Sequence, residues 1–109
     1  MNKNNINSLK KDILENLESN KAANIVEINL EGKSDICNYM IIAEGTSDRH
    51  VISIAEKLIF YLKHQEGNIH YASEGLDDGK WVLIDTISIV VHIFHPETRE
   101  IYDLETLYG

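Results

Sequence analysis

Apolar residues recur at Ile6, Leu9, Ile13 and Leu17 with Lys, Asp and Glu between them. That spacing predicts an amphipathic helix from Asn5 to about Ser19, packing one stripe inward against a sheet. From Ile25 to Leu30 the period changes to two: Val26, Ile28 and Leu30 fall on one side, Glu27 and Asn29 on the other, as in a strand wet on one face. Gly32-Lys33-Ser34-Asp35 supplies a turn. Tyr39-Met40-Ile41-Ile42-Ala43 is apolar on both faces, which suits a central strand covered on both sides or one whose second face awaits a partner. Val51, Ile54, Ala55, Leu58, Ile59 and Leu62 mark a second helix, with Ser47 or Asp48 able to accept from the free amides of its first turn and Gly67 to stop it. Ile69–Ala72, Trp81–Asp85 and Ile89–Phe94 are three further strand candidates, after which Pro96 forbids ladder pairing. In the tail from Thr98, Ile101, Leu104 and Leu107 suit a short closing helix. The order is αββαβββ with a short helical end. It predicts an α/β fold: a single domain over residues 1–109, its mixed, about five-stranded sheet flanked by helices, with residues 1–4 expected to be flexible.

Composition narrows the class. A chain of 109 residues, 43% of them hydrophobic, has material for one core and not for two. Its longest apolar runs are far shorter than the roughly 20 residues that cross a bilayer. Met1-Asn2-Lys3-Asn4-Asn5 has neither the apolar core of a secretion signal nor the Arg-rich pattern of a transit peptide, so a cytoplasmic protein is expected. The single cysteine, Cys37, has no internal disulfide partner, and beside an apolar strand it reads as a small buried hydrophobe. The formal net charge of −8 opposes a phosphate backbone, and no Lys/Arg cluster with interleaved aromatics offsets it. Direct nucleic-acid binding is disfavoured, and a basic protein partner is the better match.

Candidate chemistry is sparse. Gly45-Thr46-Ser47-Asp48 sits between a strand and a helix, where an anion could bind. It lacks both glycine-rich phosphate-binding patterns, and Ser47 or Asp48 serves there as an ordinary cap. Arg49 and His50 follow, on a solvent face or tying the loop to a neighbour. Asp77 and Asp78 would point oppositely on a strand, and between Gly75 and Gly79 they shape a turn. His50, His64, His70, His92 and His95 show no metal-binding spacing. His92 alternates in phase with Val90 and Phe94 and reads as a satisfied core or half-buried histidine. His95-Pro96-Glu97-Thr98-Arg99 reads as a capped strand exit with Glu97 and Arg99 paired around the turn. The residues point to no catalytic set, no metal and no cofactor. Trp81, the only tryptophan, opens a strand after a polar loop and shares a face with Leu83. It is either a core corner or an interface anchor rimmed by Asp78 and Lys80.

Three ordered blocks decide between such readings: Gly45-Thr46-Ser47-Asp48-Arg49-His50-Val51, Glu74-Gly75-Leu76-Asp77-Asp78-Gly79-Lys80-Trp81, and Val91 to Leu104 with its His95-Pro96-Glu97-Thr98-Arg99 core. Together they resemble the ribosomal silencing factor (RsfS), or Iojap, family from about Ala22 to Leu107. The resemblance implies a binding protein and not an enzyme. Family members dock on the fourteenth protein of the large ribosomal subunit and keep the small subunit from joining, so translation is repressed. It also implies a nucleotidyltransferase-like fold without the catalytic motif. Those enzymes hold Mg²⁺ with a strand-borne carboxylate pair, where this chain has Glu56-Lys57-Leu58 in a helical stretch. The alternative is a nucleotidyltransferase-like nucleotide-binding module or enzyme. A homodimer formed through the apolar sheet face is a third possibility. The resemblance places Trp81, Lys80 and Asp78 at the protein interface, with Tyr39 and Met40 as an adjoining patch. The chain departs from the family at Cys37-Asn38, where Thr-Asp is common, and at Ile87-Ser88, where Gly-Asp is common.

Overall fold

The computed structural model describes residues 3–65 and 69–109. Helix α1 (Lys3–Ser19) leads into β1 (Ala23–Asn29), β2 (Tyr39–Glu44), α2 (Asp48–Lys63), β3 (Ala72–Glu74), β4 (Trp81–Asp85), β5 (Ile89–Phe94), α3 (Pro96–Tyr102) and α4 (Leu104–Tyr108). The five strands form one sheet in the order β1-β2-β5-β4-β3. Only β2 and β5 run parallel, because the chain between them crosses over through α2 and returns along β3 and β4. The α/β architecture and mixed five-stranded sheet read from the sequence are those observed.

Alternation along the strands divides the apolar residues between two faces. Ile41 and Ala43 of β2, Val82 and Ile84 of β4, and Val91 and Ile93 of β5 meet Ile13 and Leu17 of α1 and Ile54, Leu58 and Leu62 of α2, all sealed from solvent. The α2 start follows the expected logic, since the Ser47 side chain accepts from the His50 N–H. Its described end is His64, whose N–H reaches the Phe60 and Tyr61 carbonyls. Gly67, expected to stop this helix, lies outside the described residues. Lys10 Nζ reaches Glu27 Oε1 at 2.6 Å, so the polar side of β1 faces α1 instead of open solvent. Tyr61 Oη donates to Asp12 Oδ2 at 2.6 Å and ties α2 to α1.

The opposite face carries Val26 and Ile28, Met40 and Ile42, Val90 and Phe94, and Trp81 and Leu83, and among the described residues its cover comes from the tail, through Leu104 and Tyr108 of α4 and Tyr102 of α3 against Trp81. That asymmetry creates the candidate site. Three element expectations are corrected. The strand expected at Ile69–Ala72 runs Ala72–Glu74, because its ladder with β4 begins at Ala72 opposite Asp85. The single closing helix is two, broken where Asp103 takes a left-handed φ of 45°. Of the three tail residues expected to pack, only Leu104 does, while Ile101 and Leu107 are 77% and 70% exposed. A break after about two turns of helix rotates the expected stripe apart.

Candidate docking face

Trp81 stands at the rim of the less covered face, half-buried. Its ring stacks on Phe94 at 5.0 Å between centroids and tilts against Tyr102 at 4.6 Å. Its Nε1–H donates to Nδ1 of His92 at 3.0 Å. An indole of this kind has an apolar body held by packing and a polar handle held by a partner, so its exposed edge is presented in one orientation.

The loop before it is fixed by backbone contacts that admit only glycine. Gly75 has φ +92°, and a Cβ there would lie 2.0 Å from the Trp81 carbonyl oxygen. Gly79 has φ +72°, and its Cβ would meet the Asp48 carbonyl oxygen at 2.4 Å. Asp78 shapes the turn as expected, its Oδ1 accepting from the Lys80 N–H at 3.0 Å. Lys80 Nζ reaches Asp48 Oδ2 at 2.6 Å, which binds the loop to the first turn of α2. The hydrogen bond to Asp48 raises the Lys80 pKa. Both Asp78 and Lys80 are exposed beside Trp81 while serving these internal bonds.

Behind Trp81 the face carries two shallow depressions. One, of about 310 Å³, lies between Glu74, Gly75, Trp81 and Leu83. The other, of about 220 Å³, is lined mainly by apolar groups including Met40, Leu83, Val90 and Tyr108, with Asp85 and His92 among them. Met40 thus belongs to the same face as Trp81. Tyr39 does not, which corrects the expectation of an adjoining Tyr39–Met40 patch. Successive strand residues point to opposite faces, and Tyr39 packs under α1, its hydroxyl donating to Glu31 at 2.7 Å and Lys10 Nζ lying 4.2 Å from its ring centre.

The remaining motif residues serve the scaffold. His50 Nδ1 accepts from the Thr46 N–H at 2.9 Å and its Nε2 lies 3.1 Å from the Asn20 carbonyl oxygen, so it ties the β2–α2 loop to the end of α1. Arg99 pairs with Glu44 at 2.9 Å and more loosely with Glu105 at 3.4 Å, not with Glu97 as expected. The His95 side chain instead caps α3 by accepting from the Glu97 N–H. This ion pair forms the floor of a depression of about 450 Å³ under α3 and α4. Cys37 is buried, and that burial raises its thiol pKa. Glu56 and Lys57 lie on α2, exposed. Among the described residues, no group of three or more His, Cys, Asp or Glu side chains is placed to hold a metal ion, and no helix is long and apolar enough to cross a membrane.

His92 and Tyr102 are the face residues that sequence reasoning did not place in the site. The period-two phase of His92 with Val90 and Phe94 located its face, but nothing local indicated that Trp81 would reach it. Tyr102 lies in the tail, where spacing alone could not say which aromatic returns to the sheet.

Comparison with known proteins gives the family. The family described as ribosomal silencing factor during starvation matches residues 3–109. A protein named ribosomal silencing factor RsfS from Zymomonas mobilis is 41% identical over 101 residues, covering 93% of this chain and 75% of that protein. The mouse protein named mitochondrial assembly of ribosomal large subunit protein 1 is 33% identical over 94 residues, covering 84% of this chain and 41% of the mouse protein. A crystal structure of a Chromobacterium violaceum protein superposes with a TM-score of 0.86 at 34% identity, covering all of this chain and 88% of the other. A match along nearly the whole length, in sequence and in fold, places the chain in the family of ribosomal silencing factors.

Proposed function

We propose that this protein binds the large ribosomal subunit through its fourteenth protein and blocks small-subunit joining by occupying the space between the subunits, repressing translation in the cytoplasm. Membership of the silencing-factor family is the observation that carries this reading. The sheet face around Trp81 supports it physically. A rigid, half-buried aromatic beside apolar depressions and exposed charges has the composition of a hot spot with a polar rim. In this reading Trp81 is the anchor, Met40 forms part of the floor, and Asp78 and Lys80 stand at the rim. A net charge of −8 suits a ribosomal protein made basic by its RNA contacts. Steric exclusion requires no bond to be made or broken, so the function is non-enzymatic and needs no cofactor. A homodimer through the same face would compete with docking, and the exposure of Ile101, Leu107 and Tyr102 supports a self-associating form.

Sedimentation with separated subunits tests the proposal. The protein should travel with free large subunits, be absent from joined ribosomes, and lower the amount of joined ribosome when the small subunit is added. Migration with the small subunit, or with neither, rejects it.

A further inference from the structure

The end of the sheet where β2 and β5 begin is built from two loops joined through the backbone. The Asn38 N–H donates to the Ser88 carbonyl at 2.8 Å and the Tyr39 N–H to the same oxygen at 3.2 Å, so the β1–β2 loop and the β4–β5 turn form one rim. The Ser88 N–H reaches back to the Thr86 carbonyl at 3.0 Å, closing a γ-turn centred on Ile87, whose φ is 76°. This is the strained form of that turn, and glycine fits it at least cost. The residue present is β-branched instead, and its side chain gains little from burial, being 63% exposed. Ile36 on the other loop, its N–H held by Ser34 Oγ at 3.1 Å, is 78% exposed. Both isoleucines line one depression of about 330 Å³.

Continuity and charge indicate what covers this pair. Ser34, Ile36 and Cys37 line both this depression and the 220 Å³ one, and Leu83 joins the latter to the depression beside Trp81. An accessible track therefore continues from the docking face to the end of the sheet. Its rim there is acidic, with Glu31 and Asp35 lining the depression, both exposed. Glu31 accepts from the Tyr39 hydroxyl, while Asp35 belongs to no ion pair among the described residues. Lys33, in the same loop, does not line the depression. Such a rim repels a nucleic-acid phosphate, and in a two-fold contact between copies of this chain it would face acidic surface again. A protein segment with Lys or Arg beside an aliphatic side chain complements both the apolar pair and the rim.

We infer that Ile36 and Ile87 are a second anchor of the docking face, clasping an aliphatic side chain of the same basic partner protein while Glu31 and Asp35 receive the Lys or Arg beside it. This rests on the docking reading above and extends it to a surface at the far end of the sheet. The strain at Ile87 then has a function: a residue unfavourable to the turn keeps an apolar side chain where the partner buries it.

The test measures affinity for isolated large subunits, alongside thermal unfolding, for wild type, Ile36→Asn, Ile87→Asn and Asp35→Lys, with Trp81→Ala as reference. Asn tolerates the left-handed region, so Ile87→Asn should melt at or above wild type while its binding weakens about fivefold or more. Ile36→Asn, at an exposed position, should lose as much binding with its melting temperature unchanged. Asp35→Lys should weaken binding about fivefold at low salt and less at high salt. A photo-crosslinker in place of Ile36 should join the fourteenth ribosomal protein. If both isoleucine variants bind within about twofold of wild type while Trp81→Ala binds weakly, the inference is overturned and the docking reading stands. Tighter binding by Asp35→Lys, or a crosslink to ribosomal RNA or to a second copy of this chain, overturns it equally. Absence of any wild-type binding removes both.

Discussion

The indole N–H of Trp81, the first residue of β4, donates to Nδ1 of His92 on β5 across 3.0 Å. Trp81 stands opposite Phe94 in the ladder and Leu83 opposite His92, so the bond runs diagonally over one face, within reach of an aromatic side chain. It holds the indole of the proposed docking anchor in one orientation. Trp81→Phe retains an aromatic ring and deletes the donor, leaving Nδ1 unsatisfied. The expected cost is about 1–2 kcal/mol of stability, read as a lower denaturant midpoint with unchanged slope.

Trp81→Ala has two expected consequences that can be measured separately. Half-burial against Phe94 and Tyr102 makes the loss of folding stability about 2–3 kcal/mol, below that of a fully buried tryptophan. Binding to the isolated fourteenth ribosomal protein, at a temperature where the variant is folded, should weaken by about 2 kcal/mol, roughly thirtyfold. A folded variant that binds like wild type would remove Trp81 from the interface.

Acid should destabilise the fold through His92. Its pKa falls from 6.5 in the open chain to about 4 in the folded state because burial disfavours the charged ring. The unfolded chain therefore binds the extra proton first. The stability associated with the neutral ring is complete above about pH 6.5 and is lost as pH falls toward 4, about 3 kcal/mol in all. Unfolding free energies of wild type and His92→Met should differ by a constant above pH 6.5, and the difference should then move against wild type. A difference independent of pH across that window would show that His92 does not titrate there.

Ile87 occupies a backbone conformation with φ 76° while its side chain is 63% exposed. A β-branched residue is strained there by about 1–2 kcal/mol. The turn holds it through Asp85 Oδ1, which accepts its N–H at 2.7 Å, and through the paired Thr86 and Ile89 backbone. Ile87→Gly should raise stability by about 1 kcal/mol after allowance for the more flexible unfolded chain, seen as a higher melting temperature. An unchanged or lower value would mean that the turn relieves the strain in solution.

Arg99 and Glu44 form the most buried ion pair among the described residues, with side chains 9% and 15% exposed. Arg99→Met strands Glu44 beside α3 and should cost about 3 kcal/mol in chemical denaturation. Glu44→Gln should cost less, because Glu105 remains within 3.4 Å of the guanidinium. Equal losses would indicate that Glu105 provides no compensation.

Local pattern determined the most regular parts of this protein. Trp81–Asp85 and Ile89–Phe94 are strands with the bounds their periodicity predicts, and α2 begins after the Ser47 cap that its sequence announces. Each was legible because alternating or helical apolar spacing and a capping hydroxyl act over a few residues. The Gly75-to-Trp81 loop was legible as a motif, and its glycines prove necessary for close backbone approach.

Only the tertiary structure decided which of these residues share a surface. Tyr39 and Met40 are adjacent in the chain and lie on opposite faces, while Trp81, His92 and Tyr102 come from three elements and meet on one. Arg99 passed over nearby Glu97 for Glu44, a strand away in space and far away in sequence. Side-chain partners of this kind are set by strand order and by where a short helix returns to the sheet. Those depend on burying the whole apolar surface at once, a constraint that no local window of sequence contains.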